Sequence, residues 1–227
     1  MNNLSQPSQH ETQQLINQLN NGQLANAEIS AKRLITKHPN AFILHHVLAL
    51  ALDGQQKYVE AIDSYEKAIK LDAKKPDLYF NLGFAYTNTN QLELAISSYQ
   101  NAIKLNPRFF EAFGNLGTVY QRLGQLDEAI SSYQKGLAIN PQDARGYFNL
   151  GTALRDKGSL GNAIASYKNA IALFPNYTDA YNNLGETLRD SGDMDAAVKN
   201  YQEALARNAN HPNANYNMGE FLYLAKK

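Results

Sequence analysis

The chain has 227 residues and a formal net charge of zero, with 21 Lys and Arg against 21 Asp and Glu. This balance provides no uniform basic field for nucleic acid, and at this length a core forms without disulfides or metal. The absence of cysteine excludes thiol catalysis and cysteine-bound metal. The five histidines lack metal-ligand spacing, so we expect no metal and no cofactor. No apolar run approaches the ~20 residues of a membrane span and no signal core is evident, so we expect a cytoplasmic protein without membrane insertion.

The chain matches itself at one constant shift, from position i to position i+34, which indicates a repeat protein. Alanine keeps this spacing at Ala27, Ala61, Ala95, Ala129, Ala163 and Ala197, and tyrosine keeps it at Tyr65, Tyr99, Tyr133, Tyr167 and Tyr201. Leucine–glycine pairs begin at Leu82, Leu116, Leu150 and Leu184. The spacing predicts a disordered tail over 1–7, then repeats over 8–41, 42–75, 76–109, 110–143, 144–177 and 178–211, and a lone helix over 212–225.

Within each repeat the pattern predicts a helix, a turn and a second helix. In residues 76–109, one helical stripe is formed by residues at i, i+3, i+4 and i+7, namely Tyr79, Leu82, Gly83 and Tyr86. Residues 88–90 interrupt the stripe, and a second stripe runs from Leu92 to Ile103 and is ended by Asn106-Pro107. Gly124, Gly158 and Gly192 occupy this turn in later repeats, where a permissive residue is needed. We expect the glycines inside the first helices to allow close packing against the alanines of the second helices.

The residues of one repeat resemble those of the tetratricopeptide repeat family. They are Tyr147, Leu150, Gly151 and Leu154, followed by Ala163, Tyr167, Ala170 and Pro175. The resemblance covers residue 8 to the C-terminus as a single domain. It implies an all-α, right-handed superhelical solenoid of antiparallel helix pairs, with the first helices lining a concave face. The first repeat is degenerate because Gln14 and Gln18 stand at apolar positions, which suits an N-terminal cap.

An asparagine precedes the leucine–glycine pair in four repeats, and precedes Met218-Gly219 in the last helix. This series, the asparagine ladder, consists of Asn81, Asn115, Asn149, Asn183 and Asn217. Because a carboxamide both donates and accepts, it can pair with the N–H and C=O groups of an extended peptide. The ladder therefore predicts peptide binding that tolerates many sequences. The alternative is that these asparagines contact the neighbouring repeat.

Further positions on the first helices are candidate peptide contacts. One turn beyond the ladder lie Phe84, Thr118 and Thr152. Farther along, Arg155 and Arg189 occupy the same position of two successive repeats and could form a basic rung for acidic side chains. The alternative for the two arginines is pairing with nearby carboxylates, among them Asp156 and Asp190, as a solvated edge.

These patterns favour a non-catalytic protein–protein interaction module, since no phosphate-binding loop or nucleophile elbow is present. A second hypothesis is the substrate-recognition part of a larger enzyme, because the ladder and first repeat resemble those of O-linked N-acetylglucosamine transferases and their bacterial relatives. A third is a self-associating scaffold. It follows from the last helix, where Phe221 and Leu224 are apolar at positions that could pack on further protein.

Overall fold

The computed structural model describes residues 6–224, and the side chains of residues 6–221. Within this part the chain forms thirteen α-helices and no strand, which confirms the all-α prediction. The predicted tail over 1–7 lies outside the described residues except for residues 6 and 7. No helix among residues 6–224 is long and apolar enough to cross a membrane.

The helices follow one another along the chain with short connections. The first six are α1 (Gln9–Asn20), α2 (Leu24–Ile35), α3 (Phe42–Gly54), α4 (Tyr58–Leu71), α5 (Pro76–Asn88) and α6 (Leu92–Leu105). The remaining seven are α7 (Phe110–Arg122), α8 (Leu126–Ile139), α9 (Ala144–Asp156), α10 (Leu160–Leu173), α11 (Thr178–Asp190), α12 (Met194–Arg207) and α13 (Pro212–Leu224).

The chain divides into two compact units, Met1–Val119 and Tyr120–Lys227. In the first unit each helix packs on the next, from α1 through α6, and α1 also touches α3. In the second unit α8 through α13 pack in the same sequential way, and α11 touches both α9 and α13. Contacts that join only neighbouring helix pairs are those of a repeat solenoid.

The turn inside each repeat requires one residue with positive φ, and that position recurs with the period of the repeat. Glycine occupies it in four repeats, at Gly22 (φ 70°), Gly124 (φ 73°), Gly158 (φ 81°) and Gly192 (φ 91°). In the other two repeats the residues are Gln56 (φ 61°) and Asn90 (φ 60°). Asparagine tolerates the left-handed region, whereas the Cβ of glutamine is strained there. Gln56 is therefore the strained member of the series.

The glycines inside the first helices pack against tyrosine rings of the second helices. A Cβ placed on Gly83 would lie 2.9 Å from the Tyr99 ring, and one on Gly185 would lie 2.6 Å from the Tyr201 ring. Our expectation of packing against alanines is therefore incomplete, because a buried ring fills most of the space beside each glycine. The tyrosines of this series are core residues. They are Tyr65, Tyr99, Tyr133, Tyr167 and Tyr201, each at most 2% exposed.

The last helix, α13, begins at a histidine that also bonds to the preceding repeat. Nδ1 of His211 accepts a hydrogen bond from the Ala214 N–H at 3.1 Å. Nε2 of His211 lies 2.9 Å from Oδ1 of Asp179 in α11. His211 is 8% exposed, so one ring serves as the N-terminal cap of α13 and as its tether to α11.

We expect Gln56→Gly to stabilise the protein by about 0.5–1 kcal/mol, because glycine relieves the strain of positive φ at this turn. Asn90→Gly is the matched control, with a change near zero. Urea-unfolding midpoints of the two variants and the parent measure the effect. A lower midpoint for Gln56→Gly would contradict the strain assigned to this turn.

A second comparison tests the glycine–tyrosine packing. Gly185→Ala should cost about 1–3 kcal/mol of unfolding free energy, because the new methyl group collides with the buried Tyr201 ring. Gly219 occupies the same position in α13, where a Cβ meets no atom within 4 Å among the described residues. Gly219→Ala should therefore gain up to about 1 kcal/mol from helix propensity. Equal effects of the two substitutions in urea unfolding would refute this packing argument.

Candidate functional site

The asparagine ladder lies on the first helices of the repeats. In the first unit Asn81 lies on α5 and Asn115 on α7; in the second unit Asn149 lies on α9 and Asn183 on α11. All four side chains are half-buried. Asn217, on α13, is only 7% exposed. The side chains of four ladder residues are thus partly covered by the protein and partly accessible to solvent.

Two ladder residues, Asn115 and Asn183, lie next to a tyrosine hydroxyl of the preceding repeat. Burial raises the pKa of Tyr99 to about 12, and a hydrogen bond from Asn115 offsets part of this rise. Burial likewise raises the pKa of Tyr167, and a hydrogen bond from Asn183 opposes it. Each of these two carboxamides thus lies beside a buried tyrosine of the preceding repeat.

Three of the five buried tyrosine hydroxyls contact the first helix of their own repeat, whereas those of Tyr65 and Tyr201 have no hydrogen-bond partner among the described residues. The Tyr133 hydroxyl donates to Oε1 of Gln121 at 3.2 Å, and the Tyr167 hydroxyl donates to Oγ1 of Thr152 at 3.1 Å. The Tyr99 hydroxyl lies 3.4 Å from Oγ1 of Thr87. The hydroxyls of Tyr99, Tyr133 and Tyr167 therefore lie against the first helices of their own repeats.

At the C-terminal end of the second unit, Glu186 is the centre of a polar network. Its Oε2 accepts a hydrogen bond from Nη1 of Arg155 at 2.5 Å. Its Oε1 accepts from Nδ2 of Asn182 at 2.9 Å and from Nδ2 of Asn217 at 3.0 Å. Burial alone would raise the pKa of Glu186, but the bonds from Asn217, Arg155 and Asn182 outweigh it and lower that pKa. Nδ2 of Asn217 also donates to Oδ1 of Asn182 at 3.0 Å.

The two predicted arginines both have acidic partners. Arg155 pairs with Glu186 as described, and both side chains are about a quarter exposed or less. Arg189 makes the equivalent pair one repeat later, but its contact with Glu220 is 3.4 Å and that with Asp190 is 3.5 Å. Both arginines thus contact carboxylates, as the solvated-edge alternative describes. The Arg155–Glu186 contact is about 1 Å shorter than either contact of Arg189.

The remaining candidate contacts, Phe84, Thr118 and Thr152, lie on α5, α7 and α9. Phe84 is 40% exposed and packs edge-to-face on Tyr58, with ring centroids 6.1 Å apart. Oγ1 of Thr118 donates to the Gly114 carbonyl at 3.1 Å. Oγ1 of Thr152 donates to the Phe148 carbonyl at 3.1 Å while accepting from Tyr167. Both threonine side chains thus donate to the backbone of their own helix.

Asn182 is a member of the network that sequence reasoning missed. It occupies the repeat position of Phe80 and Phe148, which stack on Phe109 and Tyr177 with centroids 4.8 and 4.9 Å apart. Asn182 is 1% exposed and bonds instead to Asn217 and Glu186. The available signal was a polar residue at a position that is aromatic in two other repeats.

A groove of about 720 Å³ lies between α11 and α13 in the second unit, with residues of α12 also lining it. Arg189 and Glu186 line it from α11, Tyr216 and Glu220 from α13, and Tyr201 from α12. Met194, Asn213, Asn217 and Phe221 complete the lining. Phe221, predicted to pack on further protein, is half-buried here, and the side chain of Leu224 lies outside those described.

The sequence matches models of one repeat family over most of its length. Matches described as "TPR repeat" cover residues 54–90, 85–124, 151–188 and 185–225, and one described as "Tetratricopeptide repeat" covers residues 110–143. A comparison with curated protein sequences found no match.

Many solved structures resemble the chain in fold. MamA is 26% identical over 72% of this chain and 95% of that one, with a TM-score of 0.69. YrrB, described as a TPR protein with an unusual peptide-binding site, is 22% identical over 82% of this chain and 96% of its own, with a TM-score of 0.70. The pilF protein of Pseudomonas aeruginosa is 17% identical, covers 93% of this chain and 96% of its own, and has a TM-score of 0.76. The matches to YrrB and pilF, whose sequences are more distant, indicate the fold alone.

The network around Glu186 predicts a pH-dependent contribution to stability. Because its pKa is lowered in the folded protein, the contribution is present above the unfolded value of about 4.3 and is lost as pH falls through the folded value. Glu186→Gln should cost roughly 1–3 kcal/mol at neutral pH, where the charged hydrogen bonds are lost. The cost should fade below pH 4, measured by urea unfolding across pH.

Glu220→Gln is the control for that measurement, because Glu220 belongs to the loose, exposed pair with Arg189. Its effect at neutral pH should be at most about 0.5 kcal/mol. A Glu186→Gln variant as stable as Glu220→Gln at neutral pH would contradict the assignment of Glu186 as the centre of the network.

Proposed function

Because the chain belongs to the tetratricopeptide repeat family, whose stacked helix pairs create extended binding surfaces, we propose that it is a non-catalytic module that binds an extended protein segment. The segment lies against the first helices of the repeats, and the asparagine ladder holds its backbone. The larger-enzyme and self-association hypotheses stay predictions.

The observation that carries this proposal is the placement of four asparagines at one repeat position on the first helices, all of them half-buried. A half-buried carboxamide is partly held by the protein and partly accessible to a ligand. Asn115 and Asn183 lie beside tyrosine hydroxyls of the preceding repeats, and burial restricts the freedom that these side chains would lose on binding. Preorganised hydrogen-bonding groups improve affinity for this reason.

The geometry of the repeat supports recognition of backbone in preference to side chains. A carboxamide has two N–H donors and a carbonyl acceptor, and a peptide backbone presents the complementary pair at every residue. In each unit two adjacent first helices present such a group, Asn81 and Asn115 in one and Asn149 and Asn183 in the other. We assign Asn217 a supporting role, because its Nδ2 already bonds to Asn182 and Glu186.

A threefold variant tests the proposal. Peptides selected from a displayed library of random dodecapeptides serve as the probe, and fluorescence anisotropy measures their affinity for the full chain. Replacing Asn115, Asn149 and Asn183 by Ala should weaken binding at least about tenfold, since each net hydrogen bond contributes about 0.5–1.5 kcal/mol.

The matched control replaces Asn101, Asn162 and Asn169 by Ala, because these exposed asparagines lie on second helices. This control should bind the peptides as the parent does. Unfolding midpoints identify any loss of fold in either variant. Unchanged affinity in the ladder variant, or a library that yields no binder of the parent, would overturn the proposal.

A further inference from the structure

The first helix of the second repeat carries a carboxylate without a partner among the described residues. Asp53 lies near the end of α3 and is half-buried. Its Oδ1 is buried and accepts no hydrogen bond from any side chain or backbone group of residues 6–221. Oδ2 bonds to none of these residues either and is not one of the buried atoms without a partner, so this oxygen contacts solvent. Burial raises the pKa of Asp53, and within the described part of the chain no hydrogen bond or cation opposes the rise.

The repeat position of Asp53 changes its charge along the chain. The equivalent residues of the following repeats are Thr87, Gln121, Arg155 and Arg189. The two arginines are paired within the protein, because a carboxylate of the next first helix follows each of them 31 residues later. Asp53 is the acidic member of this series, and the part of the chain that the structure describes provides no counter-charge for it.

The next first helix, α5, has an aromatic ring where the later repeats have that carboxylate. The residue 31 positions after Asp53 is Phe84, at the repeat position of Glu186 and Glu220. Phe84 is 40% exposed. Asn88, one turn farther along α5, donates its Nδ2 to the Phe84 carbonyl at 2.8 Å and is thus bonded to its own helix. An exposed ring therefore occupies the position that supplies the counter-charge in two other repeats.

The charge on these two helices is negative. Together α3 and α5 contain two aspartates, Asp53 and Asp77, and no lysine or arginine. Burial lowers the pKa of His46 on α3, so this ring is neutral at pH 7. Lys57, which follows α3, pairs with Glu28 of α2 at 2.8 Å. A cation that approaches Asp53 from outside therefore does not displace one that the protein already holds there.

Apolar surface borders the carboxylate. Leu50 is half-buried, precedes Asp53 by three residues on α3 and occupies the same repeat position as Phe84. Residues three apart on a helix are neighbours on one face. Lysine and arginine combine a long apolar stem with a cationic end, and an exposed aromatic ring attracts such a cation. Their chemistry matches an unpaired carboxylate beside a leucine and a phenylalanine.

We propose that the face formed by α3 and α5 binds a lysine or arginine side chain of the segment that the protein holds. The Asp53 carboxylate pairs with the cation through Oδ2, and Leu50 and Phe84 pack along the apolar stem. This inference rests on the proposed function, since it specifies one side chain of the same bound segment. It differs from the expectation of a basic rung for acidic side chains, because Arg155 and Arg189 are paired within the protein and Asp53 is not.

The experiment uses the full chain labelled with ¹⁵N and three small probes. These are the N-acetyl methylamides of arginine, glutamate and norleucine. Each is titrated to about 100 mM at constant ionic strength, a range in which dissociation constants of tens of millimolar are measurable. We expect the arginine probe to cause saturable shifts of the backbone amides around Asp53 and Phe84. The glutamate and norleucine probes should cause smaller shifts that do not saturate.

Three variants locate the binding at Asp53. Asp53→Asn should weaken the arginine probe at least about threefold, because the charge-assisted pair is lost. Its unfolding midpoint should be unchanged or raised, since the variant removes a half-buried charge without a partner, whereas a structural role of Asp53 would lower the midpoint. Asp53→Arg places the residue of the fifth and sixth repeats at this position and should reverse the preference from the arginine to the glutamate probe. Glu93→Gln removes an exposed carboxylate of the second helix α6 and is the control for general charge effects.

The outcomes separate this inference from the proposed function. Stronger binding of the glutamate or norleucine probe to the parent, or no saturable shift with the arginine probe, would overturn the basic side-chain subsite. So would equal effects of Asp53→Asn and Glu93→Gln. The ladder variant and its dodecapeptides decide the proposed function independently, because that variant leaves Asp53, Leu50 and Phe84 unchanged.

Discussion

The contact between a small residue of the first helix, most often glycine, and a tyrosine ring of the following second helix is the constraint on which the repeat depends. A Cβ at Gly83, Gly151 or Gly185 would lie 2.6–2.9 Å from the nearest ring atom. The missing side chain therefore lets a large ring lie fully buried between two helices that approach closely. In the second repeat Ala49 occupies the glycine position beside Tyr65, and both are 0% exposed, so the packing accommodates a methyl group where the helices adjust. Close packing explains why a helix keeps a residue that weakens its own propensity.

The same ring determines the polar character of the face formed by the first helices. A tyrosine buried to this depth ends in a hydroxyl that usually finds a partner. For Tyr133 and Tyr167 the first helices provide it through Gln121 and Thr152, whereas the hydroxyls of Tyr65 and Tyr201 have none among the described residues. A structural need of the core thus places carboxamides and hydroxyls along one face, and these are also the groups suited to binding a peptide backbone.

The last repeat shows what happens when this arrangement changes. At the position of Phe80 and Phe148 the chain has Asn182, and its buried carboxamide draws Asn217 and Glu186 into a network with Arg155. In the same repeat the buried Tyr201 hydroxyl has no hydrogen-bond partner among the described residues, as is also the case for Tyr65 in the second repeat. One polar residue at a position that is aromatic in two other repeats thus accompanies a local polar network that those repeats do not share.

The sequence by itself determined the repeat period, the helix pairs, the buried tyrosines and the turn positions, because each depends on local spacing or local backbone geometry. Positive φ at the turn, for example, requires only that the chain reverse after a fixed number of residues. The same local rules placed the asparagine ladder on the first helices. They did not reveal that Asn217 bonds to Asn182 and Glu186, or that Arg155 is paired more tightly than Arg189. Only the tertiary structure decided these pairings, since a side chain of several rotatable bonds selects among neighbours that are distant in the chain and a few ångströms away in space.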